Sequence, residues 1–473
     1  MLETVAALDL GSTWIKAAVL AADGHQCSLA RIRAPAIDLL RGRFDAGDYL
    51  RAALDVLQEA VADAARAGAR PGGIVCASQR ATVVVVDGAQ NPLAPAVSWQ
   101  APMVDPAPVF RHVPASAFTA RTGLPGWPMF PVFRLAAGEE PLRPAVDRGA
   151  LPLSIGDFVL ARLGAEPVTE PSLAAATGWL DGRRRTWNEE LVRLAGLRSL
   201  PALTRPGTVV GELAAGVAGA LGLPAGLPLF MGGSDQACAL LGSGVHGPGE
   251  ALLNLGTAAT VLTPQPVWPG HVGGAIVLPH VIEGQYVAEG FVGSFGAALD
   301  ALSGALGLGD AAGLVKAASG RTPAERAPLF LLERWRQDPT APGSALTPAP
   351  GQPRPDAAGI AALVIEALGH ELALALEAVE RLGKVERLRV AGGATRGRAL
   401  ISAIVDVLGR PVIDPGEPEA ALRGAALLAF FGTGVTITTP VDAPPRASEL
   451  RPGFLPWREA RLGRYRGWKE RTT

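Results

Sequence analysis

The chain has 473 residues, of which 48% are hydrophobic, and its formal net charge is −1. A chain of this length is too large for one hydrophobic core and is expected to form two domains. The near-neutral charge provides no field to attract nucleic acid or an acidic membrane surface. The three scattered cysteines, Cys27, Cys76 and Cys238, argue against a disulfide framework and indicate a reducing, cytoplasmic location.

The first half of the chain alternates between strand-like and helix-like segments. β-rich runs at 5–10 and 16–20 predict a hairpin, and apolar residues at helical spacing predict a helix over 48–67. Further strands are expected at 73–77, 81–86 and 227–231, a helix at 213–221, and loops with short helices in the proline-rich stretch 102–152. The uncharged stretch 213–234 is interrupted by glycine and proline, so it predicts short elements rather than a membrane span. The first residues lack the basic start of a signal peptide.

The second half begins again with a predicted hairpin at 251–255 and 260–262. Helices are expected at 356–382, 399–408 and 419–431, and a strand at 387–391. We therefore expect an N-terminal lobe at 1–246, a C-terminal lobe at 247–437 and a Pro/Arg-rich surface tail at 438–473. Two α/β lobes that open with the same hairpin suggest an internal structural duplication.

One short pattern occurs in both halves at the turn of the predicted hairpin. Asp9-Leu10-Gly11-Ser12-Thr13 is matched by Asn254-Leu255-Gly256-Thr257-Ala258. Glycine has no side chain to block a ligand, so such turns let backbone N–H groups and a hydroxyl approach phosphate oxygens. The paired turns, with Gly11, Ser12 and Thr13 in one and Gly256 and Thr257 in the other, predict binding of one polyphosphate.

Three features near these turns are weaker candidates for nucleotide contacts. Asp9 is placed to hold Mg²⁺ through water, or it is a turn residue that bonds its own backbone. Lys16 contacts a phosphate or lies on a solvated face. A strand runs into Gly392-Gly393-Ala394 and would allow close approach of adenosine or its α-phosphate, although glycine pairs after strands are common.

The segment Gly232-Gly233-Ser234-Asp235-Gln236 places an acid directly after a strand and a glycine pair. Phosphoryl transfer to a sugar hydroxyl needs a carboxylate that accepts the proton of the attacking oxygen. We assign this role to Asp235. The alternative is that Asp235 caps the helix that begins near Gln236.

The residues 242–247 match the dinucleotide pattern G-x-G-x-x-G by letter alone. They follow a predicted helix and precede Pro248 and a strand, whereas dinucleotide binding requires the strand first and the helix after. No Walker loop is present in the sequence. A Rossmann dehydrogenase and a P-loop ATPase are therefore excluded.

Taken in order, these motifs resemble those of the FGGY family of carbohydrate kinases over about residues 4–435. Asp9 to Lys16 resembles the first phosphate motif, Gly233 to Gln236 the segment with the catalytic aspartate, and Leu255 to Ala258 the second phosphate loop. Residues 77–80 together with 95–100, which include Gln79, Arg80 and Trp99, look like the sugar-binding segment. Gly392 to Ala394, with Asp406 and 424–426, looks like the adenosine region.

The resemblance implies an α/β fold of the two-lobed actin and hexokinase (ribonuclease H-like) type, with a deep cleft between the domains. It implies ATP- and Mg²⁺-dependent phosphorylation of a small sugar or polyol, with Gln79, Arg80, Trp99, Asp235 and Gln236 at the substrate. Lobe closure would exclude water as a competing acceptor. No nucleic acid or membrane partner is expected, and a homodimer is possible in such families.

The predicted acceptor pocket departs from the family pattern at three positions. Glycerol kinases have an acid where this chain has Ala81 and a tyrosine where it has Met129, and the family usually has an acid at Ala101. Each lost partner for a substrate hydroxyl costs about 1–3 kcal/mol. We expect a ketose such as xylulose, with glycerol still possible. The alternative is a catalytically weak member that serves as a nucleotide or sugar sensor or scaffold.

Overall fold

The computed structural model describes residues 2–38, 40–270, 274–416, 419–435, 446–448 and 454–472. The chain divides into two compact units, and each is formed from three separate stretches. The first unit comprises Met1–Gly247, Pro264–Ala288 and Glu419–Val441, and the second comprises Pro248–Thr263, Glu289–Pro418 and Asp442–Thr473. The described part of the predicted C-terminal tail lies in 446–448 and 454–472, and its other residues lie outside the described ranges.

Short strands and helices form most of the first 247 residues, and the longest helix there spans Ala46–Arg66. The strands are β1 (Thr4–Leu10), β2 (Trp14–Ala21), β3 (Gln26–Arg33), β4 (Arg43–Phe44), β5 (Ile74–Ser78), β6 (Val83–Val86), β7 (Ala96–Val97), β8 (Leu151–Ser154), β9 (Val168–Thr169), β10 (Leu180–Asp181), β11 (Thr186–Trp187), β12 (Ala202–Leu203), β13 (Val209–Glu212) and β14 (Pro228–Ser234). The helices are α1 (Ala46–Arg66), α2 (Ala107–Phe110), α3 (Ala115–Thr122), α4 (Pro131–Ala136), α5 (Leu142–Asp147), α6 (Ile155–Leu163), α7 (Pro171–Ala175), α8 (Glu189–Leu194), α9 (Ala215–Leu221) and α10 (Asp235–Gly242).

Longer helices dominate the remainder of the chain. Its strands are β15 (Glu250–Leu255), β16 (Ala259–Gln265), β17 (Ile276–Pro279), β18 (Tyr286–Val292), β19 (Arg387–Ala391), β20 (Val412–Asp414) and β21 (Arg446–Ser448). Its helices are α11 (Gly296–Ala305), α12 (Ala311–Ala318), α13 (Leu332–Gln337), α14 (Ala357–Glu380), α15 (Arg398–Leu408), α16 (Ala420–Gly432) and α17 (Phe454–Thr472), with 3-10 turns at Pro342–Ala345 and Gly393–Arg396.

The main sheet of the first unit has the strand order β13, β14, β5, β1, β2, β3. β14, β5 and β1 run parallel, and β1, β2 and β3 form the antiparallel meander that begins with the predicted hairpin. β1 is buried from Val5 to Leu10, and the amphipathic α1 packs its apolar side against β2 and β3. The parallel strands β1, β5 and β14 therefore bring their carboxyl ends to one edge of the sheet.

Strand β15 of the second unit pairs with β16 in an antiparallel hairpin and with β19 in parallel. β20 follows parallel to β19, and β21 is antiparallel to β20. The order β16, β15, β19 repeats the order β2, β1, β5 of the first unit, which is the pairing that an internal structural duplication predicts.

Helix α14 forms the core of the second unit. Its 24 residues pass a length and hydropathy test for a membrane span, and it is the one such helix among the described residues. The most apolar stretch of this helix is 78% buried inside the protein. That burial identifies α14 as a core helix.

The described end of the chain differs from the surface tail that its composition suggested. Helix α17 buries Arg461 completely, and the guanidinium forms an ion pair with Glu366 of α14. Tyr465 of the same helix is also buried and donates to Glu371 at 2.7 Å. A helix rich in arginine can pack in this way because the buried guanidinium is fully bonded.

Candidate active site

Three of the predicted site segments meet at the carboxyl edge of the first unit's sheet. The strand registers pair Leu10 with Ser78 and Ser78 with Ser234. Residues 79–80 and Asp235 therefore leave the sheet at the same level, and Asp9, the last residue but one of β1, lies just before that level, paired with Ala77. The carboxyl ends of parallel strands are where α/β folds bind ligands.

The first glycine turn, Gly11-Ser12-Thr13, connects β1 to β2 and is half-buried. A Cβ atom on Gly11 would lie 2.7 Å from the carbonyl oxygen of Trp14, so the turn requires glycine for steric reasons. The Gly11 carbonyl accepts a hydrogen bond from the Tyr49 hydroxyl at 2.8 Å. Burial raises the pKa of Tyr49 well above its ordinary value, so the phenol stays protonated and can donate.

Lys16 lies opposite Asp9 across the hairpin and is placed between two carboxylates. Its Nζ is 3.5 Å from Asp9 Oδ2 and 2.6 Å from Glu419 Oε2, at the N-terminus of α16. Burial would lower the pKa of Lys16, but the two carboxylates outweigh it and raise the pKa, so the ammonium stays charged. Burial raises the pKa of Asp9, and Lys16 opposes that rise.

Asp235 occupies the first position of α10, directly after β14. The N-cap of this helix is Ser234, whose side chain accepts from the Ala237 amide, so the capping role does not fall to Asp235. Asp235 is half-buried, and its Oδ1 accepts from the Gln236 amide at 2.8 Å. A carboxylate in the first helical turn is stabilised by the helix dipole.

The glycine pair before Asp235 is required by packing. A Cβ atom on Gly232 would lie 1.9 Å from the Cys76 carbonyl oxygen of β5, and one on Gly233 would lie 2.3 Å from Val281. A hydrogen bond also holds the backbone at Ser234, because the Ser234 amide donates to Ser172 Oγ at 2.9 Å. Ser172 in turn donates to the buried carboxylate of Glu170 at 2.5 Å.

The predicted sugar-binding segment is ordered by a buried network. Gln79 donates from Nε2 to Tyr49 at 3.3 Å and accepts from the Thr82 hydroxyl at 3.2 Å. The Trp99 amide donates to the same Thr82 hydroxyl at 3.3 Å. Between them, Ala81 adopts a φ of 55°, a left-handed conformation that is uncommon for a residue with a side chain. Tyr49 therefore connects the first glycine turn to the predicted sugar-binding segment through Gln79.

The remaining predicted residues of this unit differ in exposure. Arg80, Trp99 and Gln236 are half-buried, as is Met129, and Ala101 is buried. Side chains that are half-buried keep a face available to a ligand. Buried Gln79, by contrast, directs both ends of its amide to the protein.

The second glycine turn lies in the second unit between β15 and β16. The Gly256 amide donates to Ala258, and the carbonyls of Gly256 and Thr257 accept from the amides of Gly296 and Ala297 at the start of α11. Gly392 follows β19 with a φ of 98°, and a Cβ atom there would lie 2.6 Å from the Leu255 carbonyl oxygen. A Cβ atom on Gly393 would have open space around it. Gly392 is thus needed for close packing, and Gly393 leaves the backbone accessible.

Two further parts of the predicted adenosine region lie within helices. Gly424 lies in α16 of the first unit, where a Cβ atom would come within 1.8 Å of the Cys238 carbonyl oxygen of α10. The glycine therefore permits the close packing of these two helices. Asp406 is buried within α15 of the second unit.

Sequence reasoning missed Tyr49, Glu419 and the Glu170–Ser172 pair. Tyr49 occupies an apolar position in the helical pattern of α1, where an aromatic residue indicates core. Glu419 is the first residue of a predicted helix, where an acid indicates an ordinary cap. Glu419 is 403 residues from Lys16, and Ser172 is 62 residues from the Ser234 amide that it accepts from, so no local signal identifies these contacts.

Comparisons with known proteins assign the chain to a family. The N-terminal domain of the FGGY family of carbohydrate kinases matches residues 4–242, and the C-terminal domain of that family matches residues 251–433. A glycerol kinase of Citrifermentans bemidjiense is 29% identical over 499 residues, which cover 99% of this chain and 98% of that protein. An autoinducer-2 kinase of Yersinia enterocolitica is 30% identical over 315 residues, which cover 62% of this chain and 59% of the relative.

Solved structures show the same fold. The xylulose kinase of Rhodospirillum rubrum superposes with a TM-score of 0.83 at 23% identity, and 98% of each chain is covered. The glycerol kinase of Plasmodium falciparum with ADP superposes with a TM-score of 0.81 at 16% identity, covering 100% of this chain and 98% of the other. The predicted α/β two-domain kinase fold is confirmed, as is the family resemblance of its motifs. The chain therefore belongs to the FGGY family of carbohydrate kinases.

Proposed function

We propose that this kinase transfers the γ-phosphoryl group of ATP to a hydroxyl of a small sugar or polyol. The observation that carries the proposal lies at the carboxyl ends of three parallel strands: the 79–80 segment and Asp235 leave the sheet at one level, and Asp9 lies on the adjacent strand just before that level. A ketose such as xylulose is the favoured acceptor, and glycerol is the second candidate. The free cysteines fit a cytoplasmic location, where ATP is available.

In the proposed mechanism, Asp235 accepts the proton of the attacking hydroxyl. The acceptor oxygen forms a bond to the γ-phosphorus while the bond from that phosphorus to the β,γ-bridging oxygen breaks, so the products are ADP and a phosphorylated acceptor. Backbone amides of the Gly11–Thr13 turn and of the Gly256–Thr257 turn bind phosphate oxygens, and residues 392–394 contact the adenosine side. Catalysis then depends on positioning and charge stabilisation, as in other phosphoryl transfers.

The residues near Asp9 fit Mg²⁺ held mainly through water. Among the described residues, no group of three or more acidic, histidine or cysteine side chains could enclose a metal ion. Mg²⁺ usually keeps several waters and binds through one or two carboxylates plus substrate phosphates. Asp9, with 13% of its side chain exposed, would supply that carboxylate, and the ion would neutralise charge on the phosphates.

The proposed acceptor follows from the three altered positions. Ala81, Ala101 and Met129 supply no side-chain hydrogen bond to a substrate hydroxyl, and each missing partner costs about 1–3 kcal/mol. Glycerol has few other groups through which to bind, so it would lose most. A ketose offers more hydroxyls to Arg80, Trp99 and Gln236.

The proposal is tested with an acceptor panel. ADP release from Mg-ATP is measured with ketoses, aldoses, polyols and sugar acids, and mass spectrometry identifies the phosphorylated product. The proposal predicts a ketose with the highest kcat/KM and glycerol well below it. ATP binding without turnover on any acceptor would contradict the kinase activity.

A further inference from the structure

A buried arginine joins the two segments in which the acceptor pocket departs from the family pattern. Arg134 lies on the short helix α4 and is 3% exposed. Its Nη2 donates to the carbonyls of Ala101 and Pro102, both at 2.8 Å. Its Nε donates to the carbonyl of Met129 at 3.3 Å. One guanidinium therefore sets the distance between the 99–103 segment and the 127–130 segment.

The charge of Arg134 is balanced by Glu139. Arg134 Nη1 lies 2.9 Å from Glu139 Oε2, and the Glu139 amide donates to the Arg134 carbonyl at 3.0 Å. Glu139 Oε1 also lies 3.7 Å from the guanidinium of Arg43. The resulting Arg134–Glu139–Arg43 network is mostly buried, so loss of one member would leave a charge without its partner.

The same network holds the backbone around Trp99. Arg43 belongs to β4, which pairs with β7 just before Trp99. The Ser98 amide donates to the Gly42 carbonyl at 2.9 Å, and Gly42 packs so closely on Ala101 that a Cβ atom would lie 2.1 Å from the Ala101 Cα. On the other segment, the Pro128 carbonyl accepts from the Val104 amide at 3.3 Å. Two loops without regular structure are thus fixed to each other.

Only an arginine can make this set of contacts. Its planar fork of five N–H donors reaches three carbonyls and a carboxylate at once, whereas a lysine ammonium has three donors around one point. A lysine at this position could bond either Glu139 or some of the carbonyls. It could not bond the carbonyls of both loops and Glu139 at the same time.

We propose that Arg134 is a positioning residue for the acceptor: it fixes the spacing between the segments that carry Trp99 and Met129 and so sets which sugar or polyol the pocket admits. This inference rests on the proposed function, because it assigns those segments to the acceptor. Arg134 acts through the backbone of its neighbours and does not itself contact substrate.

The test compares steady-state kinetics of the full chain and the R134K variant, with the best and second-best acceptors of the panel. We expect the acceptor KM of R134K to rise by about tenfold, the cost of roughly one hydrogen bond. The KM for ATP should stay within about twofold. The preference between the two acceptors should shrink, because the loop spacing that distinguishes them is relaxed.

R461K is the matched control. Arg461 is also a fully buried arginine that bonds a carboxylate and several carbonyls, but it lies on α17 of the second unit. R461K is expected to lower the thermal stability and to leave acceptor preference unchanged. E139Q, which keeps a neutral partner for Arg134, is the milder variant if R134K does not fold, and it should raise the acceptor KM by a smaller factor.

Two results would overturn the proposal in distinguishable ways. If R134K, or E139Q in its place, loses stability as R461K does while acceptor KM and preference match the wild type, Arg134 is only structural. If the wild-type chain phosphorylates no acceptor, the proposed function fails, and this proposal fails with it.

Discussion

Lys16 separates two acids that would otherwise repel each other. Asp9 and Glu419 both lie within 3.5 Å of its ammonium. In this position the lysine holds β2 to the N-terminus of α16, and its charge opposes the rise that burial causes in the pKa of Asp9. Both effects fit the proposed role of Asp9, in which its carboxylate would face Mg²⁺.

The K16M variant should be clearly less stable than the wild type. Removing one partner of a buried ion pair costs about 3–5 kcal/mol, and the 20% exposure of the Lys16 side chain places the loss at the lower end. Urea denaturation at pH 7 measures it. The double variant K16M/E419Q has one negative charge fewer than K16M near Asp9. It should therefore recover part of the free energy of unfolding that K16M loses. A double variant less stable than K16M would show that charge repulsion is not the cause.

Glu170 is a second residue whose environment has a measurable consequence. It is fully buried beneath the backbone at Ser234, and burial raises its pKa to about 7 despite hydrogen bonds from Ser172 and Leu173. The folded protein therefore holds this proton up to near neutral pH, whereas the unfolded chain releases it near 4.5. Between these values the unfolded state binds fewer protons, so this group makes stability fall as pH rises.

The E170Q variant should lose that part of the pH dependence. The shift corresponds to at most roughly 3 kcal/mol between pH 4.5 and pH 7. The free energy of unfolding is measured at pH 5 and pH 7.5 for wild type and E170Q, and the fall between them should be smaller in E170Q. Asp157, whose pKa burial raises to about 6, contributes with the same sign and stays in both proteins. Equal falls would mean that Glu170 does not titrate in this range.

At the scale of elements, α10 carries Asp235 and depends on its contact with α16. The two helices approach at Gly424, whose Cβ position is filled by the Cys238 carbonyl. Gly219, in α9 of the same unit, is exposed and has open space at its Cβ position. The two glycines are therefore a matched pair for one substitution.

G424A and G219A should have opposite effects on stability. Alanine in a helix interior is favoured over glycine by about 0.5–1 kcal/mol, so G219A should be neutral or stabilising. G424A must separate two helices and should cost about 1–3 kcal/mol or more, together with reduced turnover because α10 shifts. Thermal denaturation and ADP release measure both properties. Equal stability of the two variants would contradict the packing role of Gly424.

Periodic elements were predictable from the sequence, and elements defined by tertiary contact were not. The helix expected at 48–67 is α1 (Ala46–Arg66), and the one expected at 356–382 is α14 (Ala357–Glu380). The strand expected at 227–231 instead continues to Ser234, because pairing with β5 overrides the weak strand preference of Gly232 and Gly233. Two-residue strands such as β9 and β12 pair only with each other and carry no periodic signal.

The candidate site was predictable to a similar degree. Asp9, Asp235 and the glycine turns carry local patterns of strand, turn and acid, so the sequence indicates them. Tyr49 and Arg134 donate hydrogen bonds to backbone carbonyls of residues elsewhere in the chain. Every residue has a backbone carbonyl, so the sequence does not show which carbonyl a buried side chain bonds, and only the fold does.

At the scale of the whole chain, two units repeat one hairpin with a parallel neighbour, and each places a glycine turn at the end of its first strand. The proposed reaction assigns ATP phosphates to both turns and the proton transfer to Asp235 alone. The D235N variant keeps the size of the side chain and removes its ability to accept a proton. D310N, at the exposed N-cap of α12 in the second unit, is the matched control.

The most direct test is the rate of phosphorylated product formation by D235N on the best acceptor, with ATP binding measured in parallel. The proposed mechanism predicts unchanged folding and ATP affinity with a fall in kcat of about 10²–10⁴-fold, the usual contribution of a general base. D310N should turn over at the wild-type rate. If D235N keeps a rate near that of the wild type, Asp235 is not the base, and the assignment of the active site to this sheet edge is wrong.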